Sequence, residues 1–72
     1  MSDVYIKDEF IKLQQAMKLA RVVSSGSEAK IYITEGEVKV NGEVCLQRGK
    51  KLRNGDTVEF KNNSFTVKNS DQ

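Results

Sequence analysis

Between Val44 and Gly55 the chain carries Arg48, Lys50, Lys51 and Arg53 with no acid among them. Cations focused on so short a segment suit the holding of a polyanion at one face; the plain alternative is a solvated basic loop. Upstream, Lys18 and Arg21 precede Ser25, Ser27, Glu28 and Lys30. Ser25 and Glu28 have the spacing of a capping box, in which the Ser25 hydroxyl accepts from the Glu28 amide and the Glu28 carboxylate reaches back to the Ser25 amide. A helix that starts there presents unpaired amides beside Lys30 and Ser27, a seat for a phosphate.

Other chemistry is excluded by what is missing. The chain has no histidine and one cysteine, Cys45, so an intramolecular disulfide, a Cys/His zinc site and a Ser-His or Cys-His nucleophile are all out of reach. Cys45 is expected to fill a strand position as a small apolar residue. The acids are scattered and no Gly-rich phosphate loop is present, so neither an enzyme nor a cofactor is expected.

The elements that must position these cations follow from periodicity. Val4-Tyr5-Ile6 reads as a short edge strand. Ile11 to Ala20 places Leu13, Ala16, Met17 and Ala20 on one helical face with Lys12, Gln14, Gln15 and Lys18 outward, and Met17 and Leu19 are expected in the core. The helix ends near Ala20 or Arg21, before the turn-rich Ser24-Ser25-Gly26. Lys18 and Arg21 then sit at its carbonyl end, where the helix dipole alone explains positive charge. Ile31-Tyr32-Ile33-Thr34 has strand character, but the capping box and Gly36 favour a helix with Ala29, Tyr32 and Ile33 buried.

From Glu37 onward the chain reads as strands. Val38 and Val40 share a face, the Asn41-Gly42 turn reverses the chain into Glu43-Val44-Cys45-Leu46, and Asn54-Gly55-Asp56 turns it into Val58 and Phe60. Lys61-Asn62-Asn63-Ser64 then leads into Phe65 and Val67, and Asn69 to Gln72 should fray. Phe60 and Phe65 are expected in the core, and Tyr5 is the aromatic most open to exposure, so no base-stacking platform is expected.

Ser25, Ser27, Ala29, Lys30 and Gly36, followed by Val38, Val40, Asn41 and Gly42, resemble the core motif of the RNA-binding domain named after ribosomal protein S-four. Asn54-Gly55-Asp56-Thr57-Val58 resembles that family's step into its final strands. The resemblance runs from about Ile11 to Val67 and is nearest to the small stand-alone bacterial members, which share Leu19 and Ala20 after Lys18 and a basic run at Arg48 to Lys51. Gly26 and Lys30 stand where many members carry Arg; a lysine keeps a phosphate contact but lacks the planar fork for bidentate readout.

The resemblance implies an α+β fold of two short helices packed on a small, mostly antiparallel sheet, the alpha-L motif. It also implies binding to structured RNA through Lys18, Arg21, Ser27, Lys30, Arg48, Lys50, Lys51 and Arg53, with Asn41 structural through its turn. Contacts to phosphate and sugar make backbone shape matter more than base identity. Stand-alone relatives act on ribosomal RNA or ribosome-bound tRNA, so a ribosomal particle is the expected partner and ribosome assembly or association the expected role.

At 72 residues, with 38% hydrophobic and 31% charged residues and a net charge of +2, the composition is that of one globular domain near the lower size limit for an unstapled core. No apolar run approaches the roughly 18 residues of a membrane span, and Met1 to Glu9 lacks the pattern of a secretion signal. A cytoplasmic monomer without a membrane or small-molecule partner is therefore expected. A non-enzymatic adaptor docking on a ribosomal or other protein is the alternative. Ubiquitin-like sulfur carriers need a terminal Gly-Gly, and the sequence closes on Asn69-Ser70-Asp71-Gln72.

Overall fold

A computed structural model describes residues 2–70, Ser2 through its backbone alone. In chain order the elements are β1 (Ser2–Ile6), β2 (Ile11–Lys12), α1 (Leu13–Leu19), α2 (Gly26–Thr34), β3 (Val38–Val40), β4 (Glu43–Val44), β5 (Lys51–Leu52), β6 (Thr57–Phe60) and β7 (Asn63–Asn69). Apolar residues two apart fall on one face of a strand, which aligns Val4 with Ile6, Val38 with Val40, Val58 with Phe60 and Phe65 with Val67. All eight are buried, in one cluster with Leu13, Ala16 and Met17 of α1 and Ala29 and Ile33 of α2. The helices thus cover one face of a sheet of order β1-β7-β6-β3-β4, and Tyr5, Lys39, Glu59 and Lys68 are exposed. Only the β1–β7 pairing is parallel in that sheet, so the α+β expectation of two helices on a mostly antiparallel sheet holds.

Helix α2 forms despite its β-branched residues because both ends are closed. Ser25 Oγ accepts from the Glu28 amide at 3.2 Å. The Glu28 carboxylate accepts from the Ser24 amide, one residue earlier than the sequence suggests. At the other end Gly36 adopts φ 79, and the Gly36 and Glu37 amides donate to the carbonyls of Ile33 and Tyr32, both at 3.1 Å. This is a Schellman closure, in which a residue without Cβ takes the left-handed position. Ala29 and Ile33 are buried as expected, while Tyr32 is half-buried and stacks at 51° on Phe60, with ring centroids 4.7 Å apart.

Three local expectations are corrected. Helix α1 starts at Leu13: Ile11 and Lys12 are instead a short strand, antiparallel to Lys51–Leu52. Leu19 is 57% exposed. At about 100° per residue it lies across the helix from Met17, so core burial of both was not available. The strand expected over Glu43 to Leu46 is limited to Glu43–Val44, with the Cys45 amide still donating to the Val38 carbonyl at 2.9 Å; Cys45 is half-buried, and Val44 and Leu46 are exposed.

The C-terminal expectation divides. Asn69 belongs to β7, its amide donating to Asn54 Oδ1 at 2.8 Å, and the Ser70 amide donates to the Ile6 carbonyl at 2.8 Å, so neither frays. Asp71 and Gln72 lie outside the described residues. Phe60 and Phe65 are in the core and Tyr5 is 65% exposed, as the alternation of each strand requires.

Candidate nucleic-acid interface

The basic segment after β4 is held by its backbone. The Leu13 and Gln14 amides, at the start of α1, donate to the carbonyls of Lys50 at 2.8 Å and Arg48 at 3.1 Å. These bonds satisfy amides that a helix leaves open and that no side chain caps here. One step on, Lys51–Leu52 pairs with Ile11–Lys12, and Leu52 is fully buried. The Arg53 amide then donates to Asp56 Oδ2 at 2.8 Å. Arg48, Lys50, Lys51 and Arg53 all keep exposed side chains. Lys51 is laid on a ring, its Nζ 4.9 Å from the Phe10 centroid.

Asn41 and Asp56 brace this loop. Asn41 takes a left-handed φ of 52 in the turn between β3 and β4. Its Nδ2 donates to Asp56 Oδ1 at 3.0 Å, and its Oδ1 accepts from the Thr57 amide at 2.9 Å. The turn is tied to β7 as well, since the Gly55 amide donates to the Val67 carbonyl and the Val67 amide to the Asp56 carbonyl, each at 2.8 Å. Asn41 is structural, as expected.

The second group of candidates lies at the far end of α1. Lys18 is in its last turn, and Arg21 follows the cap at φ 62, with both side chains exposed. Seven residues of helix span about 10 Å, so the backbone positions that carry the two groups of cations stand roughly one Debye length apart along α1. Ser27 and Lys30 are both exposed on α2, one turn apart, and no more than about 14 Å of chain joins Arg21 to the Ser25 cap. At this terminus Ser25 Oγ engages the Glu28 amide, and the Glu28 carboxylate engages the Ser24 amide in place of the Ser25 amide expected of the capping box.

Lys12 is a cation whose place the sequence concealed. The reading of Ile11 to Ala20 as helix put it on an outward helical face, whereas the structure sets it directly opposite Lys51 across β2 and β5. Like charges in that relation destabilise a strand pair. Among the described residues, no carboxylate pairs with the side chain of either lysine or of any of the eight predicted site residues. The only sequence signal was the extended Phe10-Ile11-Lys12 step, and nothing local indicated its partner 39 positions away. No group of three or more Cys, Asp or Glu able to hold a metal occurs among the described residues, and no helix there is long and apolar enough to cross a membrane.

The fold and the sequence recur in known proteins. A family model described as S4 domain matches residues 4–68. The chain is 46% identical over 67 residues to the probable ribosome maturation protein RlbA of Bacillus subtilis (strain 168), covering 92% of this chain and 94% of that one. It is 39% identical over 61 residues to the putative RNA-binding protein YbcJ of Escherichia coli (strain K12), covering 85% and 87%. The solution structure of YbcJ from E. coli, described as revealing an alpha-L motif involved in RNA binding, superposes with a TM-score of 0.74 at 36% identity, over 94% of this chain and 87% of that one. With the motif residues, the topology and near full-length relatives in agreement, the chain belongs to the S4 domain family.

Proposed function

We propose that this protein binds structured RNA, ribosomal RNA or ribosome-bound tRNA, and acts in the cytoplasm in the maturation or service of the ribosome. The observation that carries the reading is the division of labour in residues 48–53. Their backbone is fastened to α1, β2 and Asp56, while their cationic side chains stand in solvent without a carboxylate partner among the described residues. A loop serving only the fold has no need of four such charges. A phosphate grip needs both the fixed spacing and the free ends.

Lys12 joins Arg48, Lys50, Lys51 and Arg53 at the start of α1, and Lys18, Arg21, Ser27 and Lys30 form the second contact group. All would touch phosphate and sugar, so the surface reads the shape of a folded RNA more than its base sequence. The relatives named for RNA binding and for ribosome maturation support this direction. The decisive experiment is crosslinking in cells followed by sequencing of the attached RNA. Recovery of a defined ribosomal RNA or tRNA site is expected; recovery no greater than from a variant with Lys50 and Lys51 both replaced by Glu would refute the reading.

One observation favours a second role beside the first. Val44 and Leu46 are exposed together in a groove that Lys50 also lines. That apolar pair suits a contact with a ribosomal or other protein, giving the adaptor reading. Nuclease digestion separates the two: complexes that survive it are held by protein.

A further inference from the structure

Arg21 lines a cleft of about 230 Å³ together with Asn62 of the β6–β7 turn and Asn63 and Ser64 at the start of β7. Two features distinguish this place. The first is backbone strain where none is needed. Arg21, Asn41 and Lys61 are the non-glycine residues with positive φ among the described residues. Asparagine tolerates that region, and the bonds of Asn41 to Asp56 and Thr57 account for it; arginine does not belong there by preference. The Arg21 and Val22 amides close α1 on the carbonyls of Lys18 and Met17 at 3.1 and 3.2 Å, a closure that glycine performs without strain. The Arg21 side chain is exposed and makes no hydrogen bond or ion pair among the described residues. The chain therefore keeps a strained arginine whose side chain the fold does not use, a pattern associated with functional sites.

The second feature is the lining. Beside the apolar Ala20, Val22 and Phe65, the residues that line the cleft are Arg21, two asparagines and a serine, and none is acidic. Arginine offers a planar fork of donors, while carboxamide and hydroxyl groups can both give and accept. The volume lies below the roughly 300 to 1,000 Å³ of small-molecule pockets. It suits a short piece of polymer backbone. Lys61, also left-handed at φ 57, holds its ammonium 4.8 Å from the centroid of the Tyr32 ring and 5.4 Å from that of Phe60, which braces the turn that forms the far wall.

We propose that this cleft takes one phosphodiester and its ribose from the bound RNA, with the Arg21 fork on the phosphate and the Asn62 and Asn63 carboxamides on the 2′-hydroxyl. The inference rests on the RNA-binding reading and extends it, adding the β6–β7 turn to the footprint and giving the protein a means of telling RNA from DNA.

The test is fluorescence anisotropy with a ribosomal RNA hairpin and the DNA of the same sequence, on wild type, Arg21→Gly, Asn62→Asp, Lys50→Ala/Lys51→Ala and, as a control on the open sheet face, Lys39→Glu. Arg21→Gly is expected to raise the melting temperature yet weaken RNA binding about fivefold or more. Asn62→Asp should weaken RNA more than DNA and so narrow the RNA preference, with Lys39→Glu within about twofold of wild type. If Arg21→Gly and Asn62→Asp both bind RNA like wild type while the double lysine variant does not, the cleft is overturned and the basic loop stands. If wild type fails to bind the hairpin, or the double lysine variant binds it equally well, the underlying reading fails as well.

Discussion

Asn41 Nδ2 donates to Asp56 Oδ1 across 3.0 Å, joining the turn after β3 to the turn before β6. The other Asp56 oxygen accepts from the Arg53 amide, so one carboxylate fixes both the sheet's hairpin and the end of the basic loop. Two motifs fifteen residues apart in the chain are thereby one structural unit.

Asp56→Ala removes both bonds and should cost about 1 to 2 kcal/mol, since the groups left behind are partly reached by water. For a domain of this size that lowers the melting temperature by about 4 to 8 °C per kcal/mol, measurable by circular dichroism. A double-mutant cycle with Asn41→Ala should show coupling; additive losses would mean the two residues act apart.

Lys50→Ala with Lys51→Ala should weaken binding to every structured RNA tried. It should also flatten the dependence of log K on log salt by roughly 1.4 to 1.8, the effect of two lost phosphate contacts. An unchanged slope in a salt titration would take these lysines out of the interface.

Lys12→Ala carries opposite signs for stability and binding. Relief of the like-charge pair with Lys51 should stabilise the fold by a few tenths of a kcal/mol, about the scale of cross-strand pairs, while RNA affinity falls. Thermal melts and binding curves on one protein sample check both; a loss of stability would show that the Lys12 stem packs usefully.

Lys30→Glu tests α2 separately from the loop. The side chain is exposed, so the far-ultraviolet spectrum and melting temperature should hold while affinity drops about tenfold, as expected for reversing a charge beside phosphate. Loss of the helical signal would make Lys30 a structural residue.

Gly36→Ala should destabilise by about 1 kcal/mol or more, because φ 79 strains a residue with Cβ. The neighbouring Val44 and Leu46 side chains stand 3.8 Å from where that Cβ would lie, so crowding adds little. Equal melting temperatures for the two proteins would remove the backbone argument.

What the residues alone determined was local. The Ser25–Glu28 cap, Gly36 and the Asn41-Gly42 turn each depend on chemistry within a few positions, and alternation settled which side of each strand is buried, from Val38 and Val40 to Phe65 and Val67. What only the tertiary structure decided was the partnership of distant segments: Ser2–Ile6 lying parallel to β7, Ile11–Lys12 leaving the helix for β5, and Arg48 and Lys50 lending their carbonyls to the start of α1. Those bonds join backbone groups that every residue carries, so side-chain identity holds no record of which segments will meet. The pairing of Lys12 with Lys51 follows from that closure, and the folded chain alone shows it.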